Sequence, residues 1–342
     1  MNETKIPVLP DRAEKKLIRN YYNKGAAAAA IFVFLYFVIQ SVTSFFDLSS
    51  VNRTLIEIIN LLLTATLEIA AIAGGCYFTG QKFGDFFKNR EGYNTGTVIK
   101  TYVTTQGLGY LGIFLGLIFV VIITLLGGKV DIPTQTQGLP PGASAVVTVH
   151  AVIIAPILEE ILCRGVILGG IKKYNQTLAL IVSSLTFGLI HGNAFQFAYA
   201  TVMGLVLGTI ALKCKSVIPT IFAHAGVNMT ALCLQLVSKL TGMDKLDITQ
   251  IDWKDPQSLI AFQRSIPQSF IIFSNLFSLF LFGMIIAAII IAALHIKKFR
   301  TYCKKATTLG KTRGFPIFIT SPLWIIVLLF LFCEVFVFPF VA

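Results

Sequence analysis

Three short runs of the chain combine residue types that can move protons inside an apolar medium. The first is Glu159-Glu160-Ile161-Leu162-Cys163-Arg164. Glu160 and Arg164 stand four apart, so on a helix they share a face and can pair. Pairing satisfies Glu160 and turns Glu159 about 100° away from it. A carboxylate that faces an enclosed cavity is desolvated, which is the setting a general base needs. The plainer alternative makes both glutamates structural partners of Arg164 and a neighbouring helix. The second run is Phe187-Gly188-Leu189-Ile190-His191, and the third is His224-Ala225-Gly226-Val227-Asn228. His224 and Asn228 again stand four apart, and an imidazole and an amide at neighbouring heights offer two donors to a developing oxyanion. A lone histidine in an apolar helix is ordinarily a packing residue. Two of the chain's four histidines, with an Asn and a Glu pair, need a further reason.

The elements that hold these runs follow from composition. Of 342 residues 55% are hydrophobic and 13% charged, with 16 acidic side chains, and the mean hydropathy is +0.78. Soluble domains carry about 25% charged residues. The balance excludes a disordered chain, a disulfide-rich scaffold and a soluble multidomain enzyme, and leaves an all-α polytopic membrane protein. A span needs about 20 apolar residues. That ruler picks out nine transmembrane segments, at 25–46, 54–80, 102–127, 145–168, 177–194, 196–212, 216–238, 269–296 and 316–340. The runs are continuous rather than alternating, which excludes barrel strands. A cytoplasmic N-terminus puts 22 of 28 Lys and Arg residues on one side, Arg164 at a helix end included, and leaves six on the other. This is the bias of the positive-inside rule, and it places the C-terminus outside. The net charge of +12 is then loop topology and attraction to anionic lipid, with no nucleic-acid partner.

The chain divides into a basic cytoplasmic segment, 1–24, and a single transmembrane domain, 25–342. A catalytic core is expected at about 145–238, with two accessory C-terminal helices at 269–340. The run 1–24 does not read as a cleavable signal. The polar interruption 240–266 is expected outside. The six cysteines show no C-x-x-C pair and read as buried hydrophobes. Gly112/Gly116, Gly165/Gly169 and Gly204/Gly208 suit close helix packing. Among the remaining intramembrane ionisable groups, Glu57 and Glu68 share a face of the second helix and are expected to line a polar cavity or pair with His150. Glu334 is expected to reach towards water, and His295 lies near a helix end.

The order E-E-x-x-x-R, F-x-x-x-H, H-x-x-x-N on membrane helices resembles the CPBP family, which comprises the type II CAAX prenyl endopeptidases and their bacterial Abi or bacteriocin-processing relatives. Glu159, Glu160 and Arg164 match the first motif, Phe187 and His191 the second, His224 and Asn228 the third. The likeness covers about 145–235. It implies an intramembrane endopeptidase that hydrolyses a peptide bond. Glu159 would then activate water, with His191 positioning the water or sharing its proton. His224 and Asn228 would hold the oxyanion, and Glu160, Arg164 and Phe187 would support the site. No cofactor is required on this reading. The alternative is Zn2+ on Glu159, His191 and His224, a two-histidine, one-carboxylate set that leaves a water position. The chain has no H-E-x-x-H, no G-x-S-x-G and no aspartate within the nine segments.

The expected partners are the lipid bilayer and a membrane-embedded or lipid-anchored peptide or protein substrate; oligomeric state is not legible. The compact, unsignalled design fits the plasma membrane of a bacterium. Two competing functions are a non-catalytic partner or immunity protein on the same scaffold, and a proton-coupled transporter. Repeated broken helices would mark a transporter, and no internal symmetry is visible. One tension attends a shared site. Counted from the nearest basic residues at about 1.5 Å per residue, His224 lies about 13 Å deep, Glu159 about 20 Å and His191 about 27 Å. A common site therefore predicts an oblique or late-starting fifth helix.

Overall fold

In hydrocarbon a helix bonds its own backbone groups, so long apolar runs of this chain have one stable form. The computed structural model describes residues 12–43, 45–46, 51–88, 91–130, 141–243, 246, 255–310 and 315–340, and no strand occurs among them. The helices are α1 (Arg12–Thr43), α2 (Arg53–Thr79), α3 (Thr95–Leu125), α4 (Pro141–Val149), α5 (Ala155–Glu160), α6 (Leu168–Ile171), α7 (Gln176–Leu189), α8 (Ala194–Cys214), α9 (Ile218–Thr241), α10 (Pro256–Ser265), α11 (Gln268–Gly310), α12 (Phe315–Phe318) and α13 (Pro322–Phe336). Wider π turns at His150–Ile154 and Ile161–Ile167 join α4, α5 and α6 into one rod. Among the described residues eight stretches are long and apolar enough to cross a membrane, and the protein is a multi-pass membrane protein.

The fifth expected segment, 177–194, is shorter than the ruler. It forms α7, of 14 residues, about 21 Å long. The chain turns straight after it: Gly192 takes φ +72°, and the Asn193 side chain accepts from the Gln196 N–H to cap α8. Two further boundaries differ from the sequence reading. The helix α1 begins at Arg12, within the polar run 1–24, and buries Ile18 and Tyr22. The basic stretch after residue 296 continues α11 as helix through Gly310, while 311–314 lie outside the described residues. The polar run 240–266 includes α10, and most of 244–254 also lies outside them.

Contacts between loops define two ends. At one, Arg19 donates to Thr320 Oγ1, the Lys173 N–H donates to Tyr21 and the Val217 N–H donates to the Phe86 carbonyl. At the other, Lys129 N–H meets the Pro339 carbonyl and Lys239 meets Ser144. Four of the segments that loop charge grouped together, around Arg19, Phe86, Lys173 and Val217, thus lie at one end of the bundle, and the start of α1 and the end of α13 lie at opposite ends.

The rod α4–α6 is the centre of the molecule: every residue from Glu160 to Leu168 is buried. It packs against α1, α2, α7 and α9. The paired glycines act as expected. A Cβ on Gly112 would come within 2.6 Å of Tyr199 Cα, and one on Gly204 within 2.9 Å of Ser184 Cα, so glycine alone lets these backbones touch. The described cysteines Cys76, Cys163, Cys214, Cys233 and Cys333 are free thiols.

Candidate active site

Proline shapes the rod before any charged residue enters. Pro156 has no N–H and cannot continue an α-helical ladder. The preceding turn widens, and the Ala155 N–H bonds to the His150 carbonyl five residues back. In that register Pro156 would serve the Ala151 carbonyl and cannot. Asn228 on α9 supplies the missing donor, its Nδ2 lying 2.7 Å from the Ala151 oxygen. A second π turn follows Glu160, with the Leu168 N–H bonded to the Cys163 carbonyl. That carbonyl also accepts from Ser183 Oγ of α7 at 2.7 Å. Such bulges often mark functional stretches of a helix. Here they bracket the two glutamates.

Glu160 is fully buried and its carboxylate is used twice. Oε2 lies 3.2 Å from Arg164 Nε, and Oε1 lies 3.1 Å from His224 Nδ1. A carboxylate only accepts, so Nδ1 carries the proton and donates. The Arg164 guanidinium lies on the face of Phe187, 4.1 Å from the ring centroid, a cation–π contact strengthened by the absence of water. Its Nη1 and Nη2 meet no acceptor among the described residues. Phe187 is itself wholly buried and sets its edge against both His191, centroids 5.0 Å apart, and His224, 5.7 Å. One aromatic ring therefore spaces a cation and two imidazoles.

Glu159 behaves differently from its neighbour. Its side chain keeps 18% of its surface exposed where that of Glu160 keeps none, so of the two only Glu159 can meet a water or a substrate. Its Oε2 has no hydrogen-bond partner and faces His224 Nε2 at 3.7 Å, beyond hydrogen-bond range. His224 therefore stands between a tied carboxylate and a nearly free one. The expected turn of Glu159 away from the Glu160–Arg164 pair is present, and so is a contact the sequence did not offer, the shared histidine.

His191 lies in the turn after α7, half-buried, with Nδ1 2.7 Å from the Phe187 carbonyl. That bond makes Nδ1 the donor and leaves Nε2 a lone pair. The depth problem resolves without a late start, since α7 begins at Gln176 with an Asn175 cap. Helical side chains lean towards the N-terminus, and His191 folds back on Phe187, which lies at the level of Arg164. The network thus joins Glu159, Glu160, Arg164, Phe187 and His224 by direct contact and His191 through Phe187. Asn228 lies one turn further along α9 and faces Ala151.

Glu68 of α2 is, with Glu57, expected from the sequence to line a polar cavity or pair with His150. It is buried, at 4% exposure, but neither its Oε2 nor His150 Nε2 has a hydrogen-bond partner. Glu68 is one of the charges acting on Glu159. A sequence signal that could have pointed this way is Gly75 two turns later, where a Cβ would come within 2.4 Å of Val166 Cγ1 of the rod.

A zinc centre was tested on the donor set. Among the described residues no three His, Cys, Asp or Glu side chains form a group that could hold a metal ion. Glu159, His191 and His224 do not form such a group as arranged, the Phe187 ring being packed against both imidazoles. No step below passes through a metal.

A buried Glu–Glu–Arg–His cluster carried on three neighbouring elements of a helical membrane bundle defines the class. Residues 141–230 match the Rce1-like type II CAAX prenyl endopeptidase family, which bears out the resemblance read from the three motifs, all of them inside that segment. A protein of Bacillus subtilis (strain 168) named "Putative membrane peptidase YdiL" is 34% identical over 85 residues, covering 25% of this chain and 35% of that relative. The match therefore spans about a third of the relative's length. No solved structure matches the chain.

Proposed function

We propose that the protein is an intramembrane endopeptidase that hydrolyses a peptide bond in a membrane-associated peptide or protein, without a metal. The observation that carries this reading is the unequal treatment of the two glutamates, Glu160 locked by Arg164 and His224, Glu159 partly open and unbonded. In this mechanism Glu159 takes a proton from water as the water oxygen attacks the amide carbon. His191 Nε2, a lone pair, accepts from the same water and orients it. The oxyanion is met by the second Nδ2 hydrogen of Asn228, whose first is held by Ala151, and by His224 Nε2–H, a role that requires both imidazole nitrogens to carry hydrogens, Nδ1–H being held by Glu160. The proton on Glu159 then passes to the leaving nitrogen as the carbon–nitrogen bond breaks. Glu160, Arg164 and Phe187 fix His224 and carry no proton.

The end of the bundle that gathers 12–24, 81–88, 165–173, 213–217 and 320–321 faces the cytoplasm on this reading, as the loop charge requires. The substrate would be membrane-embedded or lipid-anchored, because the cluster lies several turns inside the bundle. The test is cleavage of a panel of lipid-anchored and membrane-spanning reporter peptides by purified protein in vesicles, before and after dialysis against a strong chelator. The expected result is two fragments in both conditions. Loss on chelation with recovery on added zinc would overturn the metal-free mechanism, and an uncut panel would favour the non-catalytic partner.

A further inference from the structure

Glu68 lies outside all three motifs, and its place is set by helix register. The helix α2 and the rod α4–α6 run in the same direction, each from the Lys129/Ser144 end to the other. At the far end Gly75 abuts the rod, where a Cβ would come within 2.4 Å of Val166 Cγ1. At the near end Leu61, Leu62 and Ala65 line an apolar cleft with Val149, His150 and Ile154. Counting back seven residues from Gly75 gives Glu68, and seven back from Val166 gives Glu159, about 10 Å in each helix. The two carboxyl groups therefore stand at one depth on facing helices. Glu68 acts electrostatically on Glu159 and also on Cys163, one turn along the same face of the rod.

Among the described residues Glu68 forms no ion pair, and its Oε2 has no hydrogen-bond partner. The titratable groups of the rod beside it are Glu159 and Cys163, on which it acts, with His150, Glu160 and Arg164 on the same rod. Arg164 is taken by Glu160 and Phe187, and His150 Nε2 is unbonded. The apolar run 25–43 of α1 has Tyr36 as its single titratable side chain, and that hydroxyl accepts from Gln40. On α2 itself stand Arg53 at its first residue, about four turns before Glu68, and Glu57, Cys76 and Tyr77. An isolated ion at this depth costs several kcal/mol, and two like charges in one site cannot both persist.

We infer that Glu68 is a positioning residue for Glu159, the two carboxyl groups holding one proton between them. This rests on the proposed hydrolysis. The Glu68 hydroxyl donates to one Glu159 oxygen and leaves the other to take the proton of the attacking water. When Glu159 hands that proton to the leaving nitrogen, the pair returns to one shared proton. The balance needs no other reactant. Glutamine at 68 keeps a donor but has no acid proton to lose.

The test has two readouts on full-length protein in vesicles. Infrared spectroscopy across a pH series should show a carboxylic-acid C=O band in the wild type that is missing in Glu68→Gln. Cleavage by Glu68→Gln should keep the acid limb of the wild-type pH profile and lose its alkaline limb, where removal of the shared proton leaves two anions. Glu68→Ala, with neither donor nor acid proton, should be slower by about tenfold at the wild-type optimum, the worth of one hydrogen bond, and should also lack the alkaline limb. If Glu68→Gln does not fold, Glu68→Asp retains the acid band at a changed frequency and supplies the comparison. An infrared band unchanged by substitution at 68, or a Glu68→Gln profile lowered uniformly at all pH, overturns the inference. A wild type that shows the Glu68 band yet cuts nothing overturns the protease reading and leaves the carboxyl pair standing.

Discussion

Glu159→Gln is expected to abolish cleavage and leave the fold intact. Glutamine has nearly the volume of glutamate but cannot take a proton from water, and general-base catalysis contributes about 10²–10⁴ in rate. The structure separates this effect from stability. Glu159 Oε2 makes no hydrogen bond in the resting protein, and the side chain is partly exposed, so little packing is lost. Thermal unfolding of the variant should therefore match the wild type while kcat falls by about a thousandfold. A variant that still cuts within tenfold of wild type would move the base to another residue.

Glu160→Gln is expected to do the reverse first, by unfolding the protein. The change leaves the Arg164 guanidinium buried without its anion, and His224 Nδ1 without a carboxylate. Breaking a buried ion pair from one side costs about 3–5 kcal/mol. The cost comes from the charge left behind. Arg164→Met added to Glu160→Gln should therefore recover much of the loss, since a long apolar side chain can lie on Phe187 where the guanidinium did. Unfolding temperatures of the two single variants and the double variant in the same detergent check this. A double variant less stable than either single one would show that Glu160 and Arg164 are held separately.

These two expectations divide a pair of adjacent glutamates into a reagent and a strut, and much of that division is legible in the sequence. The spacing of Glu160 and Arg164 predicts their pairing, because i,i+4 places them on one face whatever the tertiary structure. The three motifs name the residues that converge, and continuous apolar runs predict the bundle. The angle that frees Glu159 follows from helix geometry alone.

What was not legible depends on contacts between elements distant in the chain. The bond from His224 to Glu160 spans 64 residues, and nothing in either motif requires it. The Phe187 ring under Arg164 is another such case, since a phenylalanine in an apolar helix carries no mark of what it faces. Pro156 signalled a broken ladder, but only the fold shows that Asn228 repairs it. The shortness of α7 was hidden because 177–194 is apolar beyond Leu189, and the turn at Gly192 rather than a loss of hydropathy ends the helix. Glu68 was expected to line a polar cavity or pair with His150 because both read as isolated polar groups, and only the fold shows that neither Glu68 Oε2 nor His150 Nε2 has a hydrogen-bond partner.

The central claim is that Glu159 activates a water rather than attacking the peptide itself. A single turnover in water enriched in ¹⁸O, with enzyme in excess over a lipid-anchored peptide, tests it most directly. Mass spectrometry of the products and of the enzyme's own peptide around Glu159 gives the answer. Direct attack by water places one ¹⁸O in the new carboxyl group of the N-terminal fragment and none in Glu159. Label in Glu159 with an unlabelled fragment would show a covalent acyl-glutamate and contradict the account.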